Sequence, residues 1–258
     1  MRQSTAIIVS IGLVCLLVTP SDAQWWRNVP DGSIPRTADG APDLMAPAPR
    51  RANGRPDLSG IWSAVRTYSR DLATQMESGE VPYQAWARDL AAARADGSQS
   101  AFDPPAACLP QGVPRLGGAP APWKLVQSDD LIVLVYEAFN LWRQVFLDGR
   151  SLADDVQPTW LGYSTGHWEE DVLVVETRGF NGRAWLDQVG KPSTEQLHVT
   201  ERYRRIDFGH MEREVTIDDP GAYTRPWTVK QQFNLLPETE LLEFICNENN
   251  QDLQHLPQ

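Results

Sequence analysis

The chain has 258 residues, 22% of them charged, and a formal net charge of −11 at pH 7. That acidity argues against nucleic acid and anionic lipid as partners, because their phosphates repel an acidic surface. The length suffices for one larger domain or two small ones with a substantial core.

Residues 1–23 read as a signal peptide. Arg2 supplies a positive start and Ala6 to Val18 an apolar run, and Ser21-Asp22-Ala23 has the small residues of a cleavage site. Gln24 is therefore expected to open the mature chain. The apolar run is shorter than the roughly 20 residues that span a bilayer, and no later stretch is longer. No integral membrane segment is expected after cleavage, and the expected localisation is periplasmic or secreted. The mature chain keeps Cys108 and Cys246. In an oxidising compartment a disulfide between them is the default.

Residues 24–56 read as a Pro-rich N-terminal arm, extended or loosely packed. Pro30, Pro35, Pro42, Pro47, Pro49 and Pro56 interrupt any regular pattern there. A single β-rich domain is expected over 57–258, opening with a strand at 57–62. Residues 83–95 are rich in Ala, Leu and Arg, follow Pro82 and precede Gly97, which predicts one short helix. The stretch 99–122, with Cys108, reads as a long ordered loop. Strands are predicted at 124–127, 131–137, 141–147, 160–169, 172–177, 197–206, 210–217, 228–236 and 240–246. Their β-branched and aromatic runs are joined by short turn clusters. Nine or ten such strands with one helix predict a mainly β fold, an antiparallel barrel or curved sandwich.

Several motifs stand in this part of the chain. They are Asp148-Gly149-Arg150, Pro158-Thr159-Trp160-Leu161-Gly162-Tyr163-Ser164, Gly166-His167-Trp168-Glu169, Leu173-Val174-Val175-Glu176-Thr177, Gly179-Phe180-Asn181, Trp185-Leu186-Asp187, Thr200-Glu201-Arg202 and Asp218-Asp219-Pro220. With them the chain resembles a family of exported bacterial proteins over roughly residues 57–250. The resemblance implies export and one domain, and names no activity. The family usually has Gly where this chain has Glu170, so a turn demanding positive φ there would be harder to form. Gly60-Ile61-Trp62 resembles the opening of lipocalin-like barrels.

Gly162-Tyr163-Ser164-Thr165-Gly166 matches the spacing of a nucleophile elbow, which needs a strand before the serine and a helix after it. Here the pattern continues as strand, so Ser164 is not expected to be a nucleophile. The glycines instead suit a bend or a close approach of two backbones. The four histidines are His167, His198, His210 and His255, and none has the spacing of a metal pair. The acidic turns Asp154-Asp155, Glu169-Glu170-Asp171 and Asp218-Asp219 do not match a calcium loop. No metal and no cofactor are expected.

A three-residue turn at Asp207-Phe208-Gly209 sets a register for the hairpin around it. Ile206 then pairs with His210, Arg204 with Glu212, Arg202 with Glu214, Thr200 with Thr216, and His198 with Asp218. The facing charges are opposite in sign, which supports this pairing. The other face carries Val199, Tyr203, Met211, Val215 and Ile217 as core, and also Glu201, Arg205 and Arg213. Inward charges are costly unless paired or wet. They read either as an internal Glu201–Arg213 ion pair with Arg205 reaching the rim, or as a polar patch contacting a ligand.

The ligand-binding candidates are Glu201, Tyr203, Arg205 and Arg213, with Trp185 and Asp187 from the loop 178–196. The ten tryptophans would fill a barrel or line a pocket. The function expected is binding of a small apolar or aromatic molecule in a β-barrel pocket. One alternative is an exported enzyme using Asp187, Glu201 or His198 as general acid or base. Another is a structural or interaction protein of the envelope. Catalytic residues and oligomeric state are not legible.

Overall fold

The computed structural model describes residues 33–65, 70–152 and 155–248. The expected signal peptide at 1–23, the arm as far as residue 32, Asp154 and His255 lie outside the described residues.

Alternation of apolar and polar residues builds the strands. They are β1 (Gly60–Ala64), β2 (Trp123–Gln127), β3 (Leu131–Tyr136), β4 (Leu141–Phe146), β5 (Tyr163–Glu169), β6 (Val172–Arg178), β7 (His198–Arg205), β8 (His210–Asp218) and β9 (Trp227–Leu235). In β9, for example, Trp227, Val229, Gln231, Phe233 and Leu235 point inward while Lys230, Gln232 and Asn234 face out. The helix expected at 83–95 is present as α1 (Ala85–Arg94).

The ring closes because β1 pairs with both β2 and β9. The fold is therefore a closed barrel and not a sandwich. It is also not wholly antiparallel, which corrects the sequence reading. Directions cannot alternate all the way round a ring of nine, so a neighbouring pair must run the same way. That pair is β4 and β5, joined through only Val145↔Ser164 and Phe146↔Thr165. A tight turn can join only antiparallel strands, and residues 147–162 carry the chain back between these two.

The strand expected at 240–246 does not form. Closure of the ring leaves no sheet edge for it to join. Its backbone bonds go to side chains instead: Asn140 Nδ2 donates to the Phe244 carbonyl (2.6 Å), and Leu242 N donates to Glu137 (2.8 Å). The Cys108–Cys246 disulfide expected from the sequence is present, with its Cα atoms 5.7 Å apart.

The core has two apolar clusters. One gathers Trp62, Trp123, Leu134, Tyr203 and Phe233; the other gathers Val199, Val215, Ile217, Tyr223 and Trp227. The described part of the arm is packed rather than loose. Phe208 N and Gly209 N donate to the carbonyls of Ala46 and Leu44 (both 2.8 Å), and Arg51 donates to the Gln127 carbonyl (2.8 Å). The Pro- and Gly-rich segment 113–119 is buried too. Val113 belongs to the second cluster and Leu116 to the first, so this segment fills space inside the barrel.

Candidate functional site

A belt of polar side chains separates the two clusters. On β7, Glu201 stands between Val199 of one cluster and Tyr203 of the other. On β8, Arg213 stands between Met211 and Val215, and on β9 Gln231 stands between Val229 and Phe233. The register predicted for β7 and β8 holds at every pair named, which places Glu201 opposite Val215 and diagonal to Arg213. Arg143 of β4, Ser164 of β5 and Thr177 of β6 complete the belt, and all are buried.

Glu201 is the hub. Its Oε1 lies 2.9 Å from Arg213 Nη1 and accepts the Tyr203 hydroxyl at 2.8 Å; its Oε2 lies 2.5 Å from Arg143 Nη1. Arg143 Nε donates to Ser164 Oγ (2.8 Å) and its Nη2 to Thr177 Oγ1 (2.6 Å). Arg213 Nε donates to Gln231 Oε1 (2.9 Å). The Glu201–Arg213 ion pair was legible in the sequence; Arg143 was missed. Its signal was the alternation Leu141, Arg143, Val145, which puts a guanidinium on an otherwise apolar inward face.

Burial works to raise the pKa of Glu201, but the charges of Arg143 and Arg213 outweigh it and hold the carboxyl below the usual range. Burial also opposes the charge on Arg143, and Glu201 more than restores it. The Tyr203 phenol is pushed up by burial and then by Glu201, and stays a neutral donor. The belt therefore carries fixed charges at neutral pH. A general acid or base working near neutrality needs the opposite tuning of its carboxyl.

The other predicted site residues lie elsewhere. Arg205 reaches the rim as expected. It donates to the carbonyls of Asp57 (2.6 Å), Asp207 (3.1 Å) and Phe208, and its guanidinium lies 5.0 Å from the Trp62 ring centre. Burial pushes its pKa down to about 10. Asp187 is buried and accepts from Leu72 N (2.9 Å), Lys191 N (3.1 Å) and Lys191 Nζ (2.8 Å). Trp185 lies beneath the Arg94 guanidinium at 4.2 Å. These contacts tie the loop 178–196 to residue 72 and α1, and join neither residue to the belt. His198 faces Asp218, while His210 sits at the turn end of the hairpin, 2.7 Å from Asp207. Ser164 bonds to Arg143 and Thr177, and its strand runs on to Glu169, so no elbow forms.

Above the belt the barrel wall opens. Beyond the two residue pairs that join them, β4 and β5 part into a cleft of about 370 Å³. Its walls are Leu141, Trp142, Phe146, Trp160, Leu161 and Tyr163, and Arg143 and Ser164 also line it. Trp142 is 61% exposed and Tyr163 40%. Gly162 shapes the entry to β5: its φ is +66°, and a Cβ there would lie 2.7 Å from the Arg178 carbonyl. A larger groove, about 640 Å³, lies on the outer face of β7–β9. Its charges already pair with one another, as Lys230 does with Glu77 (2.7 Å) and Arg204 with Glu212 (3.5 Å). Both hollows touch the belt, the groove at Arg213 and Gln231 and the cleft at Arg143 and Ser164, but the cleft is the one walled by aromatic rings.

Fold and site together define a closed, mixed nine-strand β-barrel with a charged interior belt and a side opening. No family model matches the chain, and no curated protein matches it. Among solved structures it is similar to a secretory abundant heat soluble (SAHS) protein from Ramazzottius varieornatus, at 11% identity and a TM-score of 0.31. The alignment covers 69% of this chain and 95% of that one. That overlap carries no inference about function, and the barrel stands on its own strand pairing.

Proposed function

We propose that the protein binds a small, partly aromatic molecule in the cleft between β4 and β5, in the periplasm or outside the cell. The observation that carries this reading is the break in the barrel wall, faced by the exposed rings of Trp142 and Tyr163. Its volume lies within the range of small-molecule sites, which are mostly apolar with a few placed polar groups. The ligand sits at the wall because Trp62, Trp123, Tyr203, Phe233 and segment 113–119 occupy the barrel centre. The disulfide supports an oxidising compartment, and among the described residues no helix is long and apolar enough to cross a membrane.

Fluorescence titration with the neutral probe N-phenyl-1-naphthylamine tests the reading. Saturable binding is expected, weakened about tenfold or more by Trp142→Ala. No saturable binding, or binding untouched by that substitution, contradicts it.

A further inference from the structure

We infer that the ligand of this cleft is an aryl carboxylate or a similar aromatic monoanion, whose charge is taken up at Arg143 and Ser164. The inference rests on the cleft being the binding site.

The first ground is charge. The belt holds two buried guanidiniums, Arg143 and Arg213, against one buried carboxylate, Glu201. A buried charge left without a counter-ion is unfavourable, so the belt as it stands has room for one more negative charge. Of the two belt arginines, Arg143 is the one among the cleft's described lining residues, where no other residue is charged, and its side chain, 2% exposed, lies beneath the cleft surface.

The second ground is a count of donors. Ser164 Oγ and Thr177 Oγ1 each accept from Arg143 and lie 3.0 Å from one another. A hydroxyl carries a single hydrogen. One of the two hydroxyls donates to the other, and the second hydroxyl hydrogen then finds no acceptor within this trio. Arg143 Nη1 is engaged by Glu201 Oε2 at 2.5 Å, so the spare donor belongs to the hydroxyl pair. The Ser164–Thr177 pair thus has one donor to spare, and Ser164 is its member that lines the cleft. A carboxylate offers acceptors only, and an arginine receives it well.

The third ground is the wall. Trp160 lies 5.2 Å from the Arg183 guanidinium, whereas the Arg150 guanidinium against Phe146 is already paired with Asp148 (2.5 Å). An aromatic wall with the Arg183 guanidinium beside Trp160 suits a flat anion. The whole chain has a net charge of −11, so a positive cleft is a local feature and not an echo of the overall charge.

Calorimetric titration of the mature protein with 2-naphthoate and 2-naphthamide tests this at neutral pH. The two differ in charge and hardly in shape. The naphthoate is expected to bind at least tenfold tighter, with both ligands weakened by Trp142→Ala and the difference between them reduced by Arg143→Lys. Because the ligand pair is compared on the unaltered protein, the test stands even if Arg143→Lys fails to fold. Equal binding of the two, or tighter binding of the amide, overturns the anion inference and leaves the cleft reading intact. Tighter naphthoate binding that ignores Trp142→Ala overturns it too, because the anion then sits elsewhere. Binding of neither overturns both readings.

Discussion

Glu201 on β7 and Arg213 on β8 meet diagonally, 2.9 Å apart, with both side chains buried inside the barrel. Arg143 approaches the same carboxylate from β4, so one glutamate joins sequence positions far apart around the ring. Glu201→Gln keeps the shape and removes the charge, leaving two buried guanidiniums facing an amide. Removing one partner of a buried pair costs about 3–5 kcal/mol. The expected outcome is a fall in Tm of roughly 10 °C, read by a thermal melt. An unchanged melt contradicts the belt.

The same residue sets an acid limit. Its carboxyl is held below the usual range in the folded protein, so the folded state binds fewer protons than the unfolded chain. That contribution to stability is full above the ordinary carboxylate pKa of about 4.3 and is lost as pH falls through the lower folded value. Urea midpoints measured from pH 6 to pH 2 should fall below about pH 4, and Glu201→Gln should flatten that fall. His198 adds an earlier step of the same sign. Burial, then Arg178, lowers its pKa from 6.5, so stability should begin to drop as pH falls through that value, and His198→Gln should remove the step.

Segment 113–119 presses on the belt from within. Arg213 Nη2 lies 3.4 Å from the Pro114 carbonyl, and a Cβ on Gly117 would meet Arg213 Nη1 at 2.3 Å. Gly117→Ala should destabilise the protein by about 1–3 kcal/mol, as overpacking does elsewhere. A denaturation midpoint equal to that of the unaltered protein would show that this segment does not lie against Arg213.

Glu170 occupies the tight turn between β5 and β6 with φ +51°. The left-handed conformation disfavours a side chain by roughly 1–2 kcal/mol, while glycine adopts it freely and gives back part of that gain in the unfolded state. Glu170→Gly is expected to raise stability by about 0.5–1 kcal/mol in a denaturant titration. A loss of stability would contradict the backbone conformation of this turn.

The sequence revealed the parts of this site that depend on local geometry. A three-residue turn fixed the β7–β8 register, and opposite charges on its outer face agreed, so Glu201, Tyr203 and Arg213 could be placed inward. Arg143 needed only the alternation of β4 to be found, but its partner Glu201 lies on a strand far along the chain. The cleft had no local signal. It exists because an odd ring forces one parallel pair, and the partner of β4 lies beyond a crossover that no turn motif announces. Segment 113–119 reads as loop by its Pro and Gly content, and its burial follows from the space inside the ring. Residues 240–246 have strand-like composition, yet the closed ring offers them no edge.

Hydrogen–deuterium exchange with and without saturating N-phenyl-1-naphthylamine tests the location of the binding site most directly. Added protection is expected in residues 141–146 and 159–165, the two walls of the cleft, with the β7–β9 face unchanged. Protection centred instead on residues 72–77 and 230–232, or no protection anywhere, would contradict a ligand site between β4 and β5.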